Sequence, residues 1–302
     1  MTTIGQALNT ASARLSASGS ASPRLDAELL MGQVVGLDRT AVVAHLEATL
    51  GIDHEARFEA LVARREAGEP VAYIREVKAF YGFALSVDTR ALIPRPETEL
   101  LVELAISRTR SAIAARPREV GDPHFRVLDV GTGSGAIAIA MARTLRRAGF
   151  GEVVRFTASD ISEAALALAL ENAVSQGVAD LIDLRVADLL STAIEIGEPP
   201  GVIVANLPYV ATATLDALGP TIAFEPRLAL DGGPDGLDVI RRLLAELPRV
   251  LAVDGVALLE IGADQAALAT AAAADALPGW PTTIHPDLAG LPRVMELERP
   301  LA

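Results

Sequence analysis

The sequence predicts an α/β protein with a Rossmann-like, parallel-rich sheet that follows a small helical domain. From residue 125 onward, short apolar runs of strand length alternate with longer segments of helical length, the pattern of a sheet covered by helices. Before residue 73 the spacing of apolar residues is helical and strand-like runs are scarce. We therefore expect a helical domain at 1–72, a hairpin linker at 73–93 and an α/β domain at 94–302.

Two helices are expected in the first domain. One begins after Ser22-Pro23, because proline fits the first turn of a helix. The other runs from Glu55 to Glu66. The residues expected on their buried faces are Leu25, Leu29, Leu30, Val34 and Val35 in the first helix, and Phe58, Leu61 and Val62 in the second.

The linker is predicted from alternation: Phe83, Leu85 and Val87 share one side of an extended segment. Pro94 and Pro96 then interrupt the chain, and a helix is expected from Glu97 to Ala105. The intervening Arg95 and Glu97 are candidate pocket residues, although a structural salt bridge explains them equally well. Residues 116–124 are expected to form a loop.

A strand, a glycine loop and a helix follow one another at residues 125–143. Phe125–Val130 is an apolar run, Gly131-Thr132-Gly133-Ser134-Gly135 follows directly, and Ala136–Arg143 is rich in small apolar residues. Glycines permit close backbone approach, and a helix N-terminus presents free N–H groups, so this arrangement favours a nucleotide. The run also fits the loose dinucleotide pattern, which leaves NAD and S-adenosylmethionine both open.

The next two predicted strands each end near an acid. Residues 153–160 end at Asp160, which can accept hydrogen bonds from both ribose hydroxyls of an adenosine. Residues 181–186 are followed by Asp188 and Leu189, which we expect to bind the adenine amino group and to pack on the purine face. For Asp188 alone, a solvated acid at a helix start is nearly as good an interpretation.

The fourth predicted strand, 201–205, runs into Asn206-Leu207-Pro208-Tyr209. This sequence suits methylation of a planar amide or amino nitrogen, which is a poor nucleophile. Asn206 can accept one hydrogen of that nitrogen through its side-chain oxygen. The Leu207 carbonyl can accept the other, because Pro208 favours an extended Leu207, and Tyr209 can stack on the substrate. The order of these four features favours a methyltransferase over a dehydrogenase.

Beyond the motif, residues 211–236 are expected to form a long irregular loop beside the site. Further helices are predicted at 237–251 and 264–276, and further strands at 255–261 and 293–297.

Composition narrows the possible functions. The net charge of −13 argues against a nucleic-acid substrate and favours a protein. The chain has no cysteine, and its four histidines (His45, His54, His124 and His285) lack metal-ligand spacing, so we expect ordinary surface or loop histidines and no metal. Because no apolar run approaches the ~18 residues of a membrane span and no leader pattern is present, we expect a cytoplasmic protein without membrane contact.

The chain is similar to the protein-(glutamine-N5) methyltransferase family that acts on peptide chain release factors. Besides the glycine loop and Asn206-Leu207-Pro208-Tyr209, the resemblance rests on Phe80-Tyr81-Gly82, on residues 92–101 (LIPRPETELL) and on residues 224–236 (FEPRLALDGGPDG). It departs at Leu207, where the family usually has proline; an acceptor role for the backbone carbonyl would survive that change.

The resemblance implies a class I S-adenosylmethionine-dependent methyltransferase with a seven-stranded sheet whose last strand is antiparallel. It implies methyl transfer to the glutamine of the Gly-Gly-Gln loop of release factors, with the N-terminal helical domain helping to grip the substrate. A ribosomal-protein glutamine methyltransferase, a nucleic-acid amino (adenine N6) methyltransferase and a non-enzymatic adenosine-binding protein are the alternatives.

The expected site residues fall into three groups. Asn206, Pro208 and Tyr209 are expected to be catalytic, and the same three with Leu207 to bind the substrate. The residues expected to bind the cofactor are Gly131, Thr132, Gly133, Ser134, Gly135, Asp160, Asp188, Leu189 and Asn206.

Overall fold

A computed structural model describes residues 2–115, 124–215, 217 and 222–301 of the chain. They divide into two units: a helical unit of residues 2–77 with 222–225, and a sheet unit formed by the described residues of 78–217 and 226–301. Apart from His124, the loop predicted at 116–124 lies outside the described residues.

The helical unit consists of short helices around an apolar core that includes Leu8, Leu30 and Phe58. Its first helix is capped by Thr3, whose hydroxyl accepts from the backbone N–H of Gln6 while the Gln6 side chain accepts from the backbone N–H of Thr3. The helices are α1 Ile4–Ala17, α2 Pro23–Val35, α3 Arg39–Ala44, α4 Ile52–Glu66 and α5 Val71–Arg75.

The predicted buried face of α2 is partly wrong. Leu25 is 40% exposed, whereas Asp26 and Glu28 are buried. These two acids point inward because arginines hydrogen-bond them there. The apolar residues that α2 does bury are Ala27, Leu30, Met31 and Val34.

A two-stranded hairpin, β1 Val77–Phe80 and β2 Phe83–Ser86, follows α5. Leu85 and Val87 are buried and Phe83 is half-buried, in agreement with the predicted alternation. The end of β2 is held by Asn172, whose Oδ1 accepts from the Ser86 N–H at 2.8 Å and whose Nδ2 donates to the Ser86 carbonyl at 3.0 Å. The same Nδ2 donates to the Ser134 carbonyl in the glycine loop at 3.0 Å.

The sheet unit is built on a seven-stranded sheet with the order β5-β4-β3-β6-β7-β9-β8. Neighbours from β5 to β7 pair in parallel, and β9 is antiparallel to both β7 and β8, so the expected fold class is confirmed. The strands are β3 Phe125–Val130, β4 Val154–Asp160, β5 Ile182–Val186, β6 Val202–Ala205, β7 Val256–Glu260, β8 Thr282–Pro286 and β9 Pro292–Glu298.

Helices cover both faces of this sheet. Successive residues of a strand point to opposite faces, and the central strand β6 is apolar throughout because both of its faces are buried. Thus Val127 joins a core with Leu101 and Ile139, whereas Leu128 joins a second core with Leu243. The helices of the sheet unit are α6 Thr98–Ala115, α7 Ala136–Arg147, α8 Glu163–Ser175, α9 Ser191–Ile196, α10 Thr212–Leu215, α11 Asp238–Val250 and α12 Ala266–Ala276.

One histidine differs from expectation. His285 lies on β8 and its Nε2 is 2.9 Å from Oε2 of the buried Glu296, so it is part of a structural pair and is more than an ordinary surface residue. In the described part of the chain, no helix is both long and apolar enough to cross a membrane.

Candidate active site

The glycine loop turns sharply between β3 and α7. Gly131, Gly133 and Gly135 have φ of 70°, 56° and 82°, values that L side chains rarely adopt. A Cβ on Gly135 would lie 2.9 Å from Ile139 Cδ1 and 3.2 Å from Ala169 Cβ. Glycine at this position therefore lets α7 pack closely against α8.

Asp129, at the end of β3, holds the loop from beneath. Its Oδ2 accepts from the Thr132 hydroxyl at 2.7 Å and from the Ala138 N–H at 3.1 Å. Burial raises the pKa of Asp129 to about 7, although both hydrogen bonds oppose the shift. Among the described residues, Oδ1 has no hydrogen-bond partner.

Asp160 connects the second strand of the predicted series to the glycine loop. Its Oδ2 accepts from the Gly133 N–H at 2.9 Å and its Oδ1 from the Ser162 N–H at 2.9 Å. Each carboxylate oxygen can accept more than one hydrogen bond, so both keep capacity for a ligand hydroxyl. The position and the free capacity suit a pair of adjacent hydroxyls.

Asp188 and Leu189 lie together after β5. Asp188 Oδ2 accepts from Arg242 Nη2 at 2.7 Å, a contact that the sequence did not suggest. Leu189 is buried with a φ of 48°, an unusual conformation for a residue other than glycine. The arrangement gives an acceptor beside an apolar wall.

Asn206 follows β6 directly, and its Nδ2 donates to Thr98 Oγ1 at 3.1 Å. Leu207 is buried, and its Cδ2 would be 3.1 Å from a Cβ added to Gly131. The Leu207 side chain thus supports the first turn of the glycine loop.

Tyr209 is held at both of its ends. Its hydroxyl donates to Glu260 Oε1 at 3.2 Å, and its carbonyl accepts from Gln265 Nε2 at 2.8 Å. Burial raises the pKa of Tyr209 above its usual range, and the Glu260 carboxylate adds to that effect.

Glu260 ends β7 and is 1% exposed. Burial raises its pKa to about 7; the Thr98 and Tyr209 hydroxyls oppose this shift, Glu97 adds to it and Arg293 opposes it. Its Oε2 makes no hydrogen bond of ordinary geometry with any residue that the structure describes.

Two glycines let the loop after the motif lie against the motif backbone. A Cβ on Gly232 would be 2.7 Å from the Pro208 carbonyl oxygen, and one on Gly236 would be 2.3 Å from the Tyr209 carbonyl oxygen. Part of the long segment predicted to be irregular thereby packs on Pro208 and Tyr209, and its described residues also include short helical turns such as Thr212–Leu215.

A cavity of about 250 Å³ opens at the carboxyl ends of the parallel strands β3 to β6. Gly135 and Tyr209 do not line it, and Arg95 does. Lining residues that were not singled out from the sequence include Thr98, Pro226, Leu228 and Arg242. The expected site residues that line it are Gly131, Thr132, Gly133, Ser134, Asp160, Asp188, Leu189, Asn206, Leu207 and Pro208.

Comparison with known families gives two matches. Residues 6–75 match the model described as PrmC N-terminal domain, and residues 122–211 match the model described as methyltransferase domain.

Individual relatives extend over nearly the whole chain. A release factor glutamine methyltransferase of Moorella thermoacetica is 41% identical over 265 residues, which are 87% of this chain and 87% of that protein. One of Deinococcus radiodurans is 38% identical over 292 residues, 97% of each chain. Among solved structures, the hMettl16 catalytic domain in complex with a MAT2A 3′UTR hairpin shares the fold over 82% of this chain and 81% of its own, with a TM-score of 0.53 and 14% identity.

Proposed function

This chain belongs to the family of release factor glutamine methyltransferases, and we propose that it transfers a methyl group from S-adenosylmethionine to the side-chain amide nitrogen (N5) of a glutamine in peptide chain release factors. The proposed acceptor is the glutamine of their Gly-Gly-Gln motif. The observation that carries the proposal is the position of Asn206, which lines the same cavity as the glycine loop.

The residues of the cavity fit an adenosine-containing methyl donor. The nearest atom to a Cβ on Gly133 would be Ala91 Cβ at 3.8 Å, so the loop backbone is open to a ligand. We propose that Asp160 binds the ribose hydroxyls and that Asp188 and Leu189 bind the adenine. Asp188 Oδ1 remains available for the amino group, since Arg242 engages Oδ2.

When bound, S-adenosylmethionine would supply a sulfonium methyl group as the electrophile and would leave as S-adenosylhomocysteine, while the proton lost by the methylated nitrogen passes to solvent. Asn206 Oδ1 and the Leu207 carbonyl accept the two hydrogens of the substrate amide and direct its nitrogen lone pair toward that methyl group. Pro208 keeps the two acceptors in fixed relation, and Tyr209 forms part of the substrate-binding surface beside them. Positioning and exclusion of water account for most of the rate enhancement in such a transfer.

The two units then have separate tasks. We propose that residues 1–72 recognise the substrate protein, that 73–93 link the domains and that 94–302 carry out methyl transfer, in the cytoplasm. The match of residues 6–75 to a PrmC N-terminal domain supports the first assignment.

The test is methyl transfer from radiolabelled S-adenosylmethionine to a release factor, a ribosomal protein fraction and DNA in parallel. We expect label in the release factor alone, and none when its Gly-Gly-Gln glutamine is replaced by alanine. Label in DNA or ribosomal protein with an unlabelled release factor would support an alternative acceptor.

Asn206→Ala separates chemistry from cofactor binding. We expect turnover to fall by about 10²-fold, the loss typical of a positioned polar group in an active site. Calorimetry should show nearly unchanged affinity for S-adenosylhomocysteine. A variant with wild-type turnover would mean that another group positions the substrate nitrogen.

A further inference from the structure

The orientation of the Asn206 amide decides whether it can serve as an acceptor. A primary amide has a donating end and an accepting end, and rotation by 180° exchanges them. Thr98 Oγ1 accepts from Nδ2 at 3.1 Å and so fixes the donating end. Among the residues that the structure describes, no donor is bonded to Asn206 Oδ1.

Thr98 itself has a hydrogen left to donate. Its hydroxyl accepts from Asn206, and the carboxylate that its hydroxyl influences is Glu260, whose pKa Thr98 lowers. Glu260 Oε2 has no hydrogen bond of ordinary geometry to another described residue, while Oε1 already accepts from the Tyr209 hydroxyl. The hydrogen bond that Glu260 makes to the motif is therefore the one to the Tyr209 hydroxyl.

The polar groups involved are removed from water. Thr98 is 3% exposed and Glu260 is 1% exposed. Their elements are distant in sequence: Thr98 begins α6, Asn206 follows β6 and Glu260 ends β7. A buried carboxylate that forms no ion pair among the described residues costs free energy.

We infer that Thr98 and Glu260 are positioning residues for the methyl transfer: Thr98 holds the Asn206 amide so that its oxygen meets an unsubstituted primary amide, and Glu260 holds the Tyr209 hydroxyl. The inference rests on the proposed function. Thr98 acts through Asn206 and Glu260 acts through Tyr209, and neither of them contacts the methyl group.

The chemistry explains why the position carries an acid. An ionised carboxylate has only acceptors, so either of its oxygens can accept from the Tyr209 hydroxyl, whereas a glutamine offers one acceptor and one donor group. The charged or titratable groups that act on Glu260 are Glu97 before α6, Arg293 on β9 and Tyr209. Together with burial they put its pKa at about 7, so it gains its acceptor-only form as the pH rises through neutrality.

The first test compares three threonine variants with release factor as substrate. Thr98→Val removes the hydroxyl at nearly constant volume and should lower kcat by about tenfold or more, with affinity for S-adenosylhomocysteine unchanged. Thr98→Ser keeps the hydroxyl and should restore kcat to within about threefold of wild type. Thr109→Val is the matched control, because Thr109 is on the same helix, is fully buried and has no partner for Oγ1 among the described residues.

The second test is a double-mutant cycle. If Thr98 acts through Asn206, Thr98→Val should change kcat by less than about twofold in the Asn206→Ala background. A structural role would give a similar loss in both backgrounds. Wild-type kcat in a folded Thr98→Val variant, or additive losses in the cycle, would overturn the inference.

The third test uses Glu260→Gln and a pH profile. Wild-type kcat should rise between about pH 6 and pH 8 as Glu260 ionises, and the variant should have a lower and flatter profile across that range. An unchanged profile in Glu260→Gln would remove Glu260 from the inference.

The activity of the wild-type enzyme distinguishes failure of the proposed function from failure of the roles assigned to Thr98 and Glu260. If it places no label on release factor, the proposed function fails. If it does and Thr98→Val is unaffected, only the present inference fails.

Discussion

Buried acids are treated differently in the two units of the molecule. In the helical unit, Asp26 and Glu28 are bonded by guanidinium groups: Arg65 Nε to Asp26 at 2.8 Å, and Arg24 and Arg39 to Glu28 at 2.7 Å each. In the sheet unit, Asp129 below the glycine loop and Glu260 at the end of β7 are bonded, among the described residues, only by hydroxyl and backbone donors.

The pKa values follow from this difference. Burial alone would raise the pKa of Glu28, but the hydrogen bonds from Arg39 and Arg24 outweigh it and the pKa lies below its ordinary value. For Asp129 and Glu260 burial prevails and the pKa rises to about 7. Glu296, a further buried acid of the sheet unit, pairs with His285 and Arg108.

The contrast separates stability from function. A paired buried acid fixes the packing of helices, whereas an unpaired one reduces stability and persists where a site needs an acceptor. Variants that change one group at a time test this division.

The largest effect is expected for Arg65→Met in the helical unit. Arg65 is 12% exposed, and its removal leaves the buried Asp26 carboxylate, among the described residues, with the Ser20 and Ser22 hydroxyls as its side-chain partners. We expect a loss of about 3 kcal/mol in the free energy of unfolding at pH 7, measured by urea denaturation.

Arg64→Met on the same helix is the control for that loss. Its pair with Glu69 is solvent-exposed on the arginine side, so the loss should be below about 1 kcal/mol. Equal losses in the two variants would mean that burial of the pair does not matter.

Glu260→Gln should increase the free energy of unfolding, whereas the arginine variants decrease it. Its folded pKa of about 7 lies above its ordinary 4.5, so the native state binds more protons between these values and wild-type stability falls as the pH rises through that window. Above pH 7 the variant should be more stable by up to about 3 kcal/mol, since the rise from 4.5 to about 7 corresponds to roughly 1.4 kcal/mol per pKa unit. The gain should disappear near pH 4.5. A destabilised variant at pH 8 would show that the ionised acid contributes to folding.

Glu28→Gln should give the smallest effect and the reverse pH dependence. Because the pKa of Glu28 is lowered, its ion pairs stabilise the protein at neutral pH, and this contribution is lost as the pH falls through the folded pKa. Both arginines are more than a third exposed, which screens the pairs, so we expect a loss of about 1 kcal/mol at pH 7. Thermal melts at pH 7 and pH 3 would detect it; a loss that grows at low pH would contradict the assignment.

The sequence predicts the frame of the site well because backbone rules determine it. Apolar runs such as Phe125–Val130 form the buried parallel strands, and glycines such as Gly131 and Gly135 stand where φ is positive. By contrast, β8 (Thr282–Pro286) was not predicted on its own, since prolines flank it and its polar residues give a weak strand signal.

The features of the site that were not predicted from the sequence depend on tertiary contacts. Thr98 stands between two acids in a motif that drew attention to Arg95 and Glu97, and Glu260 is a single acid at a strand end. Their meeting with Asn206 and Tyr209 depends on strand order and on the start of α6, which no local pattern specifies. Leu25 was assigned to the core for a related reason: periodicity does not reveal that arginines draw Asp26 and Glu28 inward.

Asn172 has a consequence for motion on the slow timescale of amide hydrogen exchange. Its side chain is 1% exposed and bonds both the end of the β2 hairpin and the Ser134 carbonyl of the glycine loop. Local opening of the loop and release of the Ser86 N–H therefore both require the Asn172 hydrogen bonds to break. A ligand that orders the loop should slow deuterium uptake at Ser86, which makes that single amide a reporter of ligand binding at the neighbouring cavity.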